Sequence, residues 1–103
     1  MSSYRVLILR EAQLDLEDII GWYEEQRLGL GESFFSRYLH TEALLAENPY
    51  LFQEKLLFVR RAIISRTQYA IYYAVDEENG AVEIIAVLHQ KRDPNILRRR
   101  INL

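Results

Sequence analysis

The last third of the chain contains two β-rich runs that meet at a turn. Residues 59–94 read VRRAIISRTQYAIYYAVDEENGAVEIIAVLHQKRDP, and β-branched and aromatic residues fill both runs. The second run ends in a polar cluster of His89, Lys91, Arg92 and Asp93. Polar side chains at the end of a hydrophobic strand point off the rim of a sheet, where the core does not use them. This rim is therefore a candidate site.

The β-rich part of the chain predicts a meander. We place strands at about 57–65, 68–76 and 81–88, and treat residues 50–57 as a connecting segment. Asn79 and Gly80 suit a hairpin turn with positive φ between the last two strands. Residues 4–9, YRVLIL, have the composition of a further short strand at the start of the chain.

Helical periodicity fills the segment between the first strand and the meander. From Glu11, apolar residues recur at three and four positions with acidic residues opposite, which predicts an amphipathic helix. Gly29 and Gly31 interrupt it, and a second helix is predicted from about residue 30 or 32 to Glu47, before Asn48-Pro49. The prediction is one α+β domain, 1–103: an N-terminal strand, an antiparallel helical hairpin, and a three-stranded antiparallel meander in one sheet. The tail after Pro94 fits a short helix or an extended arm.

Composition excludes several kinds of chemistry. The chain has no cysteine, so disulfides, thiolate nucleophiles and cysteine-ligated metals are absent. His40 lies within a helix at no ligand spacing from other candidates, and we predict no metal site and no cofactor. The apolar run near the N-terminus is too short for a signal or membrane segment, which predicts a cytoplasmic protein without a membrane partner.

Charge is distributed unevenly along the chain. Residues 1–54 carry 4 Lys/Arg against 10 Asp/Glu, whereas residues 55–103 carry 9 against 5. The basic half concentrates its charge near the end, at Lys91, Arg92, Arg98, Arg99 and Arg100. With a net charge of −2, binding to DNA is not assigned to this chain.

Two interpretations of His89 follow from its neighbours. It either bonds the backbone at a strand end, or exchanges protons near neutral pH beside Lys91 and Arg92. Arg60 and Arg61 occupy consecutive strand positions and point to opposite faces. By the same parity, Tyr69 and Tyr73 share one face and Tyr72 lies on the other.

The element order resembles the ParE/RelE superfamily of bacterial type II toxins over almost the whole chain. The motifs that carry the resemblance are YEEQRLGLGESF, at 23–34, and AVLHQKRDP, at 86–94. It implies a toxin that a cognate antitoxin protein neutralises in a hetero-oligomer. ParE-like members inhibit DNA gyrase by binding it, whereas RelE-like members are ribosome-dependent messenger RNA endonucleases, so the fold alone does not assign the function.

The chain departs from the nuclease pattern at Ala70. Nuclease members of the superfamily that it resembles often have arginine at this position, directly after the tyrosine that opens the penultimate strand. An alanine side chain cannot stabilise a phosphorane-like transition state, and no tyrosine follows His89 in the tail. The ParE-like hypothesis is therefore favoured: a non-enzymatic gyrase inhibitor with no catalytic residue, which binds its target through Arg92, Arg98, Arg99 and Arg100.

Two alternatives stay open. One is a RelE-like endonuclease acting on ribosome and messenger RNA, with the roles carried by His89, Arg60, Arg61, Lys91 and Arg92. The other is an inactive toxin that only binds antitoxin.

Three apolar residues predict where an antitoxin binds. Trp22, Leu28 and Leu30 exceed what the narrow apolar stripe of the first helix needs to bury. Antitoxins of this class resemble disordered segments that fold on the toxin through helix and strand contacts. We expect one to cover part of the helical hairpin and the sheet.

Overall fold

A computed structural model describes residues 3–102. Its elements follow one another as β1 (Arg5–Ile8), α1 (Arg10–Gln26), α2 (Leu30–Glu47), a 3₁₀ turn (Pro49–Leu51), β2 (Glu54–Leu56), β3 (Val59–Ile63), β4 (Tyr69–Asp76), β5 (Ala81–His89) and α3 (Pro94–Arg100). The predicted α+β class, with a strand, a helical hairpin and a meander in one sheet, is confirmed.

The sheet has five strands in the order β1-β5-β4-β3-β2, with β1 parallel to β5 and the other pairs antiparallel. The predicted count of four strands was therefore too low. The additional strand is β2, which lies in the segment that the sequence suggested to be a connection. Leu57 adopts a left-handed φ of 52°, so residues 57 and 58 turn the chain and β3 begins at Val59.

Each face of the sheet has its own core. The two long helices cover one face, and the buried residues there include Leu16, Phe34, Tyr38, Leu45, Ile71, Tyr73, Val82 and Val87. The short α3 lies over part of the opposite face, where the buried residues are Val59, Ala70, Tyr72, Ile85, Ala86, Leu88 and Leu97. Tyr73 and Tyr69 pack with the first core and Tyr72 with the second, as their parity predicts.

A β-bulge interrupts the alternation along β5. Tyr72 pairs with Ala86 but Tyr73 pairs with Ile84, so Ile85 is an extra residue without a partner in β4. Ile85 and Ala86 consequently both face α3, and Val87 returns to the helical face. The bulge therefore decides which face the end of β5 presents.

The connection between α1 and α2 depends on Glu24 and two glycines. Glu24 Oε1 accepts hydrogen bonds from the backbone N–H groups of Gly29, at 3.1 Å, and Gly31, at 2.9 Å. Gly29 has a φ of 93°, which a residue without a Cβ adopts readily. The Glu24 carboxylate thereby supplies acceptors for N–H groups at the start of α2 that no helical carbonyl reaches.

The tail, for which the sequence allowed either a short helix or an extended arm, is helical from Pro94 to Arg100. Leu103 lies outside the described residues. Asp93 accepts a hydrogen bond from the Asn95 N–H at 2.9 Å, and Pro94 occupies the first turn. Among residues 3–102, no helix combines the length and the apolar content that crossing a bilayer requires.

Candidate functional site

His89 lies at the end of β5, directly opposite Tyr69 of β4. Its Nδ1 accepts a hydrogen bond from the Lys91 backbone N–H at 3.1 Å. Because that N–H can only donate, Nε2 carries the proton of the neutral ring and donates to Gln68 Oε1 at 2.8 Å. The Tyr69 ring meets the imidazole edge-on at 5.4 Å between centroids. Both ring nitrogens are thus engaged within the fold.

An open cleft of about 410 Å³ separates this strand end from α1. Asp15, Asp18 and Trp22 line it from the helix, and Tyr69, His89 and Arg92 line it from the sheet side and the loop that follows. Carboxylates on one wall face basic and aromatic groups on the other. This arrangement suits a polypeptide ligand more than a polyanion, because the exposed carboxylate of Asp18 repels phosphate groups.

Arg60 lies well away from His89. Its Nη1 donates to the Phe52 carbonyl at 2.7 Å, Glu54 lies at 3.8 Å, and the guanidinium stands 5.0 Å from the centre of the Tyr50 ring. It pairs with Tyr73, four positions along β4 from the residue opposite His89, or about 13 Å at the rise of a strand. Arg61 pairs with Tyr72. The structure does not bring the five candidate nuclease residues together.

The predicted target-binding arginines have different surroundings. Arg92, Arg98 and Arg99 are exposed. Arg100 instead binds Asp15 through both terminal nitrogens, at 2.5 and 2.8 Å, and also contacts the Ile85 carbonyl. The hydrogen bond with Asp15 raises the pKa of the Arg100 guanidinium further above its ordinary value. Three of the four arginines therefore remain available to a partner.

The predicted antitoxin-binding residues lie on the helical hairpin. Trp22 is 52% exposed and Leu28 87% exposed, whereas Leu30 is half-buried. The indole packs edge-on against Tyr23 at 5.2 Å and also lines the cleft beside His89. Exposed apolar side chains therefore lie at the cleft and just beyond the end of α1.

Sequence reasoning missed the acidic wall of the cleft and the partners of the tyrosines. Asp15 falls three positions after Ala12 on the buried face of α1, and a carboxylate in that stripe was the available signal. Tyr4 and Tyr50 both donate hydrogen bonds to Glu77 Oε2. No local pattern connects residues so far apart in sequence.

A helical hairpin on one face of a five-stranded sheet is the fold that this chain shares with chains of solved ParDE and RelE-RelB systems. Residues 6–94 match the family described as the ParE toxin of the type II toxin-antitoxin system parDE. The chain belongs to this family, and the resemblance to the ParE/RelE superfamily is confirmed.

Solved structures of similar fold come from toxin–antitoxin systems. The chromosomal ParDE system from P. aeruginosa includes a chain with a TM-score of 0.73 and 13% identity, covering 84% of this chain and 96% of that one. A chain of the archaeal RelE-RelB complex from Pyrococcus horikoshii has a TM-score of 0.60 and 18% identity, and the match covers 89% of this chain and 100% of that one. A chain of the RelBE2 complex from Mycobacterium tuberculosis has a TM-score of 0.54 and 23% identity, and the match covers 86% of this chain and 93% of that one. At these identities the likeness establishes the fold alone. No curated protein matches the sequence.

Proposed function

We propose that this protein is a toxin that inhibits DNA gyrase by binding it, and that a cognate antitoxin neutralises it in a hetero-oligomer. The observation that carries the proposal is the match of residues 6–94 to the ParE family. Gyrase is the target that the sequence resemblance implies for that branch.

The dispersal of the candidate nuclease residues supports a non-enzymatic mechanism. Cleavage by attack of a ribose hydroxyl needs a base, an acid and cations around one phosphate. Arg60 is engaged with Phe52 and Glu54 at a distance from His89, and both nitrogens of His89 are bonded within the fold. Ala70 is fully buried on the α3 face, where it supplies no charge. We therefore assign no catalytic residue.

The proposed gyrase contact is the exposed basic surface of Arg92, Arg98 and Arg99. These side chains lie on α3 and on the loop before it, and none has an ion-pair partner among residues 3–102. A cluster of exposed positive charges accelerates and orients the encounter with an acidic partner surface. The antitoxin is proposed to use the helical hairpin around Trp22, Leu28 and Leu30, a surface that adjoins the basic one at the cleft that Trp22 and Arg92 both line.

The test compares two assays on the same purified protein. We expect loss of plasmid supercoiling by gyrase and no cleavage of messenger RNA bound to ribosomes. The triple variant R92Q/R98Q/R99Q should weaken gyrase inhibition about tenfold, since each rim charge contributes a fraction of a kcal/mol. The control R5Q/R10Q/R27Q removes the same charge from exposed positions in the acidic half of the chain.

Each hypothesis predicts its own outcome. Message cleavage without gyrase inhibition would replace this proposal with the RelE-like alternative. Inactivity in both assays, with antitoxin binding retained, would identify an inactive toxin. Equal weakening by both triple variants would refute the assignment of the target surface.

A further inference from the structure

A second cavity, of about 300 Å³, lies on the face of the sheet that α3 covers only in part. Its lining includes Tyr72, Leu88 and Leu97, which are buried, and Leu56 of β2, which is half-buried. We call it the α3 cavity. Its volume falls at the lower end of the range for ligand cavities, which suits one or two side chains of a partner.

The rim of the α3 cavity is cationic. Lys55, Arg92 and Arg98 line it and are exposed, and the ion pairs formed within residues 3–102 involve none of them. The carboxylate that also lines the cavity belongs to Asp93, which accepts the Asn95 N–H at the start of α3. An apolar interior under three cations selects for an apolar group accompanied by negative charge.

A peptide segment fits this cavity better than a nucleic acid does. Single-stranded nucleic acids bind through exposed aromatic rings on which bases stack. Two aromatic rings line the α3 cavity. Tyr72 is only 6% exposed and packs into the sheet, and the His89 imidazole is held by hydrogen bonds at both nitrogens and by its edge-to-face contact with Tyr69. An aliphatic or aromatic side chain entering over Leu56 needs no stacking platform, and flanking carboxylates would reach the basic rim.

We propose that the α3 cavity receives an apolar side chain, flanked by Asp or Glu, from the protein that this toxin inhibits. The proposal rests on the proposed function, because Arg92 and Arg98 belong to both the rim and the gyrase-binding surface. The proposal distinguishes two of the exposed arginines by position. Arg98 lines the α3 cavity and contacts the bound segment, whereas Arg99 lines a different cavity beside Glu11.

The first experiment tests the cavity without gyrase. The full chain, labelled with ¹⁵N, is titrated with the blocked peptide acetyl-Asp-Leu-Asp-amide and followed by amide chemical shifts. We expect shifts at Leu56, Tyr72 and Leu88, and much smaller ones with acetyl-Asp-Gly-Asp-amide or acetyl-Lys-Leu-Lys-amide. Arg98→Gln should raise the dissociation constant about two- to fivefold, as for an exposed charge pair, while Arg99→Gln leaves it nearly unchanged.

Three results would overturn the cavity assignment: shifts confined to another face, equal shifts with the Lys-Leu-Lys peptide, or no shift at millimolar peptide. Because both arginines are exposed, loss of folding is not expected to obscure the comparison.

The second experiment connects the cavity to the target. Arg98→Gln should raise the half-inhibitory toxin concentration in gyrase supercoiling about two- to fivefold, whereas Arg10→Gln, at an exposed position outside both the basic surface and the α3 cavity, should leave it unchanged. If the peptide binds but both variants inhibit gyrase equally, the cavity is not the gyrase contact. If the wild-type toxin does not inhibit gyrase, the proposed function fails. The peptide titration alone then shows whether the α3 cavity binds an apolar side chain flanked by acidic residues.

Discussion

Asp15 of α1 and Arg100 of α3, which lie 85 positions apart, form an ion pair with two parallel contacts of 2.5 and 2.8 Å. β1 pairs with β5 only as far as Ile84, so the edge of β5 beyond it lacks a neighbouring strand. The Val87 N–H donates to Asp15 Oδ2 at 3.0 Å, and the Ile85 carbonyl accepts from Arg100 Nη1 at 3.3 Å. The ion pair therefore takes the place of a strand along this edge and fixes α3 to α1.

Arg100→Gln should destabilise the fold. Both side chains of the pair are largely buried, and the variant leaves the Asp15 carboxylate without its counter-charge. We expect a loss of about 2 to 4 kcal/mol in the free energy of unfolding, measured by urea denaturation. The exposed neighbour in Arg99→Gln should stay within about 0.5 kcal/mol of wild type. A double-mutant cycle with Asp15→Asn should show coupling, and purely additive effects would contradict the role of the pair.

Gly31→Ala should also destabilise the protein, because the two helices approach closely at this residue. An added Cβ would lie 2.8 Å from the Ile20 carbonyl oxygen and 2.9 Å from Glu24 Oε1. We expect a loss of about 1 to 3 kcal/mol in thermal or urea unfolding.

Gly21→Ala is the matched control for that substitution. Gly21 lies inside α1, and an added Cβ would meet no atom within 4 Å apart from its neighbours in the helix itself, so alanine should stabilise the helix by up to about 1 kcal/mol. Equal effects of the two substitutions would show that helix propensity, and not the close approach, governs position 31.

Tyr50→Phe should raise the pKa of Glu77. The hydrogen bond from Tyr50, followed by the one from Tyr4, holds the pKa of this carboxylate below its ordinary value of 4.5. The same contact raises the pKa of Tyr50 to about 12. Because the folded-state pKa is the lower one, the contribution of Glu77 to stability is present above pH 4.5 and is lost as the pH falls through that lowered pKa.

Carbon-detected NMR titration of the Glu77 carboxylate checks this prediction. The pKa in Tyr50→Phe should move toward 4.5, and Tyr4→Phe should produce a smaller change in the same direction. The stability difference between wild type and Tyr50→Phe should shrink as the solution is acidified. An unchanged Glu77 pKa in both variants would show that the tyrosines do not control it.

Trp22→Ala should weaken antitoxin binding. Tryptophan is among the residues enriched at binding hot spots, where truncation to alanine costs about 2 kcal/mol or more, which is roughly thirtyfold in the dissociation constant. Calorimetry with the proposed cognate antitoxin measures the effect. Leu51→Ala, at an exposed position on the 3₁₀ turn, serves as the control. Equal affinities of wild type and Trp22→Ala would move the antitoxin to another surface.

The sequence predicted the elements whose periodicity is strong. Helices α1 and α2 and strands β4 and β5 follow clear apolar patterns, and Gly29 and Pro49 mark their boundaries. The assignment of Tyr69, Tyr72 and Tyr73 to faces also followed from parity, because β4 contributes one residue to every step of its ladder.

Features that depend on tertiary contacts were not accessible from local patterns. β2 has three residues, too few for a pattern to rise above its surroundings, and the turn after it uses a leucine where glycine or asparagine would have been the usual marker. Arg100 appeared to be one of several equivalent arginines in the tail, and its separation from them depends on Asp15, far away in sequence. The dispersal of Arg60 and His89 likewise follows from strand register.

The extra residue Ile85 has a consequence for comparisons within the family. Because the bulge absorbs one residue, a strand that lacked Ile85 would still pair Ile84 with Tyr73 and Ala86 with Tyr72, and His89 would stay on the face of the two long helices. A strand that kept Ile85 but lost the bulge would instead alternate regularly from Ile84, which would turn His89 to the face of α3 and Leu88 to the face of the helices. Relatives that share the motif AVLHQKRDP can therefore present the histidine to different partners, according to whether their last strand keeps its bulge.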